Sequence, residues 1–325
     1  MYNFYSGKKV LVAGGTGMIG IQLVKMLISS GATVRIVSLD DSSRAHPAAE
    51  FMRKDLTCLE NCLQACRGMD FVFNLLGVKA SPDVAVNKPG RFMFATVSME
   101  MNMLEAARRE GVLGYMFTSS VGVYAPAEIF NEDDVWKTFP SPNDWFTGWS
   151  KRIGELQVEA YKREYGWKKL VIVRPANVYG PYDNFESENA MVVPSLIRRA
   201  ISGENPLKVW GDGSAVRDFI HAKDVASGML LVGERLPDQP VNLGSGVGVS
   251  IKGLVEIIVA NLKEKPVVSW DTSKPKGDDR RILSLVRAQE LGFKPKISLS
   301  EGIRETMGWY RENKGITRLR YDVYD

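Results

Sequence analysis

The chain has 325 residues, which at roughly 150 residues per domain is one large α/β unit or two coupled domains with ample core. Apolar residues make up 45% and charged residues 25%, with ordinary Gly and Pro usage, so collagenous, disordered and low-complexity architectures are excluded. The 42 basic and 38 acidic side chains leave a net +4 without any Lys/Arg block, which points to small molecules rather than nucleic acid as partners.

The opening MYNFYSGKK runs into VLVAGGTGMIGIQLVKMLI, an apolar stretch broken by four glycines and without a small-residue cleavage site. No run reaches about 18 uninterrupted apolar residues, so a cytoplasmic protein without membrane contact is expected. Short β-branched runs then alternate with helical patterns. The runs are KKVLVAG (8–14), TVRIVS (33–38), DFVFNLL (70–76), LGYMFTS (113–119) and LVIVRP (170–175), and helical periodicity covers 18–30, 91–110 and 148–165. Such alternation predicts βαβ units and a parallel sheet covered on both faces. Cys58, Cys62 and Cys66 fall at i, i+4 and i+8 on one helix face, which reads as packing; no disulfide framework or metal site is expected. In MEMNMLEAARRE, Met99, Met103 and Ala106 form a stripe suited to core or subunit contact. Past Pro175, helices are expected at 190–202, 222–234, 250–262 and 299–313, joined by GPYDN, WGDGS and DTSKPKGDD. The reading is a dinucleotide-binding domain over 1–175, with chain crossing back from the second half, and a smaller C-terminal α/β substrate lobe over 176–325. The terminal ITRLRYDVYD (316–325) receives no function.

Directly after the first strand, Gly14, Gly15, Thr16, Gly17, Met18, Ile19 and Gly20 form a strand-to-helix turn. The Gly15-x-Gly17-x-x-Gly20 spacing supplies a tight turn, a close approach for a diphosphate and close helix–sheet packing, with a helix N-terminus facing the anion. A Rossmann doubly wound fold binding NAD(P) follows. The acidic residue that would accept from an NAD ribose is replaced by Ser38; Asp40 and Asp41 follow, and Arg44 is within reach of a 2′-phosphate, which tilts the cofactor toward NADP. Asp55 and Leu56, after a third strand, are candidate adenine contacts.

Together with TSSVGVY (118–124), SKRIGE (150–155), RPANVYGPYDN (174–184), RDFIHAKDVA (217–226) and VNLGSG (241–246), this turn resembles the extended short-chain dehydrogenase/reductase superfamily of nucleotide-sugar enzymes over nearly the whole chain. The late WDTSKPKGDDRRILS and LGFKPKISLSEGI resemble its GDP-fucose synthase branch most. The resemblance implies hydride transfer between a sugar carbon and nicotinamide, assisted by a serine, a tyrosine and a lysine, with an asparagine holding the lysine through water. Ser120 and Lys151 match the serine and lysine, Lys151 also serving the cofactor with Leu76 and Pro175. The tyrosine place holds Thr147 and the asparagine place holds Thr96. A threonine hydroxyl is far too weak an acid to replace a phenol, whose pKa starts near ~10. A substitute proton carrier is therefore needed, with Tyr124, Tyr179, Asp144 and Lys79 as candidates, Asp144 having a helix-cap alternative.

Val121 and Gly122 stand where dehydratases carry acids, and Gly122 and Met191 stand where fucose synthase carries its epimerising cysteine and histidine, so reduction, oxidation or epimerisation at one carbon remains. On the substrate side the resemblance implies Lys79, Ser120, Asn177, Arg217 and Arg280 as contacts to a nucleotide sugar, GDP favoured, and a homodimer through 91–110 and 148–165. His221 is expected to make a structural hydrogen bond and His46 to be exposed. Rival readings are a catalytically silent binding protein and an introduced Tyr-to-Thr substitution.

Overall fold

The computed structural model describes residues 3–77, 88–185, 190–274 and 277–315. The first half supplies strands β1 (Lys9–Ala13), β2 (Thr33–Ser38), β3 (Glu50–Arg53), β4 (Phe71–Asn74), β5 (Gly114–Thr118) and β6 (Leu170–Pro175), and helices α1 (Met18–Ser29), α2 (Leu59–Cys66), α3 (Pro89–Arg109) and α4 (Trp145–Tyr165). The second half supplies β7 (Asn177–Tyr179), α5 (Val192–Ile201), β8 (Leu207–Trp210), β9 (Val216–His221), α6 (Ala222–Arg235), β10 (Val241–Leu243), β11 (Gly248–Ser250), α7 (Ile251–Ala260), β12 (Val268–Asp271), β13 (Arg280–Arg281), α8 (Val286–Glu290) and α9 (Leu299–Glu312).

Among the described residues, seven strands form one parallel sheet in the order β10-β6-β5-β4-β1-β2-β3. Strands β4, β5 and β6 are buried along their whole length, which is why their sequences read as mostly apolar runs. One face packs against α1 and α6 through Leu23, Val24, Leu27, Met229 and Leu230. The other packs against α2, α3 and α4 through Cys62, Met103, Leu104 and Val158. Strand β3 is half-buried at the sheet edge, and its EFMR lacks the β-branched signature of the others. The strand order reverses between β1 and β4, and the crevice beyond their C-terminal ends is where an open α/β sheet binds ligands.

Helix α6 lies against α1 and delivers β10 back to β6, with Val241 opposite Val173. A further core lies beyond the sheet, where Phe185, Leu196, Ile197, Leu254, Ile303 and Met307 pack beside β7, β9 and β11. No helix among the described residues is long and apolar enough to cross a membrane. Cys62 and Cys66 are core residues, and burial pushes the Cys62 thiol up to about 12; Cys58 is exposed before the helix.

Behind the crevice, β6, α4 and the loop after β5 are tied by Arg174. Its side chain is fully buried; Nε and Nη2 donate to Glu155 at 2.8 and 2.7 Å, and Nη1 donates to the Glu132 carbonyl at 2.8 Å and the Tyr124 hydroxyl at 3.1 Å. Removing one partner of a buried pair strands the other charge in a medium that solvates it poorly. Arg174→Leu is expected to cost about 3–5 kcal/mol of unfolding free energy, measured by urea denaturation, and an undiminished midpoint would contradict this role.

Candidate active site

The strand-to-helix turn is shaped by what its glycines omit. Gly14 has φ +80°, in the left-handed region that side chains disfavour. A Cβ at Gly20 would stand 2.3 Å from the Gly14 carbonyl oxygen and 2.6 Å from Gly15 Cα, so α1 can start this close to β1 only without a side chain there. Gly17 is the helix N-cap and has no side chain to occupy the first-turn N–H groups, which leaves them to an anion. The turn therefore fits the diphosphate of a dinucleotide.

Beside it lies a polar cluster. The Thr16 hydroxyl donates to Asp40 Oδ2 at 2.7 Å and lies 2.8 Å from Ser38 Oγ, which accepts from the Asp40 N–H at 3.1 Å. Arg44, expected to reach a 2′-phosphate, is turned inward instead: it is 8% exposed, its Nη2 donates to the Thr16 carbonyl at 3.3 Å, and its Nε lies 3.8 Å from Asp40. Asp55 is exposed and accepts from the N–H and hydroxyl of Thr57 at 2.9 and 2.7 Å, a turn that opens α2, while the Leu56 side chain is core. A cavity of about 270 Å³ opens beside α1, lined by Gly15 of the turn and Arg44 together with Lys25, His46, Tyr182 and Trp309; Ser120 and Lys151 do not line it.

Ser120 ends the loop after β5 and caps a short 3-10 turn, its Oγ accepting from the Gly122 N–H at 3.1 Å. A Cβ at Gly122 would have Ser120 Oγ at 3.5 Å, Asp144 Cβ at 3.6 Å and Thr147 Cγ2 at 3.6 Å, so these three residues converge on one point. Helix α4 reaches that point because of Gly148, where a Cβ would strike the Gly122 carbonyl and Pro140, both at 2.5 Å. Asp144 precedes α4 without capping it; its carboxylate pairs with Arg281. One turn after Thr147, Lys151 Nζ donates to Glu100 Oε1 at 2.5 Å, the Leu76 carbonyl at 2.9 Å and the Thr118 carbonyl at 3.0 Å. Glu100, on α3, is a functional candidate that sequence reasoning missed. Thr96, one turn before it, is buried with an unpartnered hydroxyl. Pro175 is buried at the end of β6.

Two proton-carrier candidates are withdrawn by their surroundings. Tyr124 is buried, stacked on Phe130, and donates to Asn242 Oδ1 at 2.6 Å; burial pushes its hydroxyl up to about 12 despite Arg174. Tyr179 lies in the second-half core, where burial raises its pKa. Lys79 lies outside the described residues. His221 Nδ1 accepts from the Lys223 N–H at 3.3 Å, capping α6, and His46 is half-buried.

On the substrate side, Asn177 donates to the Asp218 carbonyl at 3.0 Å. Arg217 is half-buried on β9 beside Arg281 of β13, and burial together with that neighbouring cation lowers its pKa to about 10. Arg280 points the other way and pairs with Glu128 at 3.3 Å on the surface. Successive strand residues face opposite sides, and it is Arg281 that faces the crevice, bridging Asp144 and Asp278. Asp278 in turn accepts from Ser141 at 2.7 Å and Asn143 at 2.5 Å, which fixes the turn ahead of α4.

A parallel sheet with this order, a glycine turn open to a diphosphate, and Ser120 at the end of β5 with Lys151 in the first turns of α4 define a dinucleotide-dependent Rossmann enzyme class. The model of the NAD dependent epimerase/dehydratase family matches residues 10–244, and the chain belongs to that family. Among relatives, it is 32% identical over 319 residues to a probable GDP-L-fucose synthase 1 of Oryza sativa subsp. japonica, covering 94% of this chain and 93% of the other. It is 29% identical over 326 residues to the GDP-L-fucose synthase of Escherichia coli strain K12, covering 95% and 98%. Among solved structures, an epimerase of Methanothermobacter thermautotrophicus aligns with a TM-score of 0.87 at 27% identity, covering 98% of this chain and 96% of that one. A UDP-glucose 4-epimerase of Thermotoga maritima, solved with UDP-glucose, aligns with a TM-score of 0.82 at 28% identity over 94% and 99%.

Gly20→Ala places a carbon inside the Gly14 carbonyl and must push α1 off the turn. The expected outcome is loss of NAD(P)H binding by at least about 100-fold together with destabilisation of about 1–3 kcal/mol, read by fluorescence titration and thermal melting.

Proposed function

We propose that this protein is an NAD(P)-dependent epimerase or reductase of a nucleotide-activated sugar, with a GDP-sugar as substrate. The observation that carries the reading is the convergence of Ser120, Thr147 and Asp144 beside Lys151 at the crevice mouth, on the same sheet that carries the glycine turn. Gly14, Gly15, Thr16, Gly17, Met18, Ile19 and Gly20 would hold the dinucleotide's diphosphate, Ser38 and Asp40 its adenosine ribose, and Leu76 and Pro175 would flank its ring. When bound, the nicotinamide accepts or returns a hydride at the sugar carbon. In this reading residues 1–175 carry the cofactor and 176–325 present the sugar nucleotide, with Asn177, Arg217 and Arg281 as the polar contacts.

Arg44 held against Asp40 bears on cofactor choice. A 2′-phosphate entering that corner would meet the Asp40 carboxylate before a free cation, so we read the preferred cofactor as NAD, reversing the tilt that Arg44 gave in the sequence. Titrating NADH and NADPH side by side tests this; tighter NADPH binding would refute it. The nucleotide is read as GDP because the GDP-L-fucose synthases match nearly full length, while Gly122 and Met191 cannot exchange protons, which supports chemistry at a single carbon. Exposed Phe94 and Met101 on α3 and Leu156 on α4 support a homodimer through these two helices, checked by analytical ultracentrifugation.

Of the proposed proton carriers, Asp144 is the one whose Cβ comes to the same point as Ser120 Oγ and the Thr147 methyl, with its carboxylate held by Arg281, and we assign it the sugar hydroxyl's proton during oxidation once substrate displaces that arginine. Turnover of nicotinamide absorbance on adding a GDP-sugar is the test. Asp144→Asn is expected to abolish it, and Thr147→Tyr to raise it by about 10- to 100-fold by restoring a phenol one turn before Lys151. No rise with Thr147→Tyr, with substrate still bound, would mean that the site is not arranged to use a phenol. One observation favours a second reading, a silent binding protein: all three Lys151 protons are engaged within the protein. Binding of dinucleotide and GDP-sugar without any redox signal would select it.

A further inference from the structure

An ammonium has three N–H donors. Lys151 directs them at Glu100, the Leu76 carbonyl and the Thr118 carbonyl, so none is left for a ribose hydroxyl. Of the three acceptors only Glu100 is a carboxylate, and a charge-assisted hydrogen bond is roughly twice as strong as a neutral one.

Glu100 is a costly residue to keep. It is 1% exposed, and its Oε2 is buried without a hydrogen-bond partner. Packing alone would be served as well or better by an apolar side chain of similar shape. The charged and titratable groups that face it are Lys151 and Glu155 from α4 and Tyr115 from β5. Burial pushes the Glu100 carboxyl up to about 7, although Lys151 pulls it down. Gly77, exposed and without a side chain, lies directly against the ammonium: a Cβ there would stand 3.3 Å from Lys151 Nζ.

We propose that Glu100 is a positioning residue whose carboxylate holds the Lys151 ammonium inside the protein, away from the nicotinamide ribose, and so sets how firmly the chain grips its dinucleotide. This rests on the cofactor reading above. Neutralising Glu100 frees one Lys151 donor to turn past Gly77 toward the ribose hydroxyls.

The test is NADH affinity of the full chain by fluorescence titration from about pH 5 to about pH 9, for the wild type, Glu100→Gln, Lys151→Met and the double variant. Glutamine keeps the shape and one acceptor oxygen but drops the charge. Glu100→Gln is expected to bind NADH roughly tenfold tighter at pH 8, and the gain is expected to vanish when Lys151→Met is also present. Wild-type affinity is expected to rise as pH falls through about 7, where Glu100 becomes neutral, and to level off below it. Glu100→Gln binding equal to or weaker than wild type, or a gain that persists with Lys151→Met, overturns the proposal. Should Glu100→Gln fail to fold by circular dichroism, the wild-type profile decides, and a flat one overturns it. A wild type that binds no dinucleotide at about millimolar concentration defeats the cofactor reading itself, and this inference with it; binding without any Glu100 effect defeats the inference alone.

Discussion

Helix backbone lying directly on strand and loop backbone is the contact on which this site depends. At Gly20 it seats α1 on the end of β1 and at Gly148 it seats α4 on the serine turn, while at Gly154 the missing side chain lets α4 close onto the Phe117 ring, 2.3 Å from where a Cβ would be. The first two contacts exclude the side-chain layer that usually separates packed elements. The result is that groups from β5, α3 and α4 converge within hydrogen-bonding distance of one another at the mouth of the sheet. A larger spacing would leave the same residues present and out of reach, since oriented catalytic groups tolerate displacements of well under about 1 Å.

Within that frame the electrostatics of the site are organised around a cation rather than a phenol. Where the resemblance implies a tyrosine lowered by a lysine, the chain has a hydroxyl that cannot be lowered usefully and a lysine whose charge is answered by a buried acid. The arginine network behind it works differently. Arg174 and Glu155 meet through two parallel hydrogen bonds, with Nη1 satisfied by the Glu132 carbonyl and the Tyr124 hydroxyl, which is the arrangement that stabilises a buried pair. Glu100 and Lys151 meet through one, with an acceptor oxygen left over. Of the two buried pairs, the first is built for rigidity and the second is readily altered by protonation.

Much of this could be read in the amino-acid sequence because the relevant physics is local. Strands buried on both faces must be continuously apolar, and a turn that crowds a helix against a strand must be glycine, so β1, β4, β5, β6 and the dinucleotide turn were legible. Ser120, Thr147 and Lys151 follow by counting from motifs. What escaped depended on tertiary packing. Strand β3 carries little burial, so it was legible only by its place ahead of Asp55 and not by an apolar run. Glu100 sits among Met99, Met101 and Met103 on a helix that reads as core, and only the packing of α4 on α3 shows that its face meets a lysine. Arg280 and Arg281 are adjacent, and the face each takes is set by the pairing of a two-residue strand with β9. Arg44 pointed outward in the sequence reading because the partner that draws it in, Asp40, gains its position from Thr16 in the glycine turn.

The return of β10 to the edge of β6 has a consequence for how such a chain can be divided. The strand that completes the nucleotide sheet is made after β7, β8, β9 and α6, so a fragment ending near Pro175 would present the open edge of β6, with its row of unpaired backbone donors and acceptors, to any other extended chain. During synthesis that edge stays uncovered until about seventy further residues have been made. Neither half is a separable cassette: the early part must wait for the late one, and shuffling the two between relatives would have to carry Val241–Leu243 along with the sheet it closes.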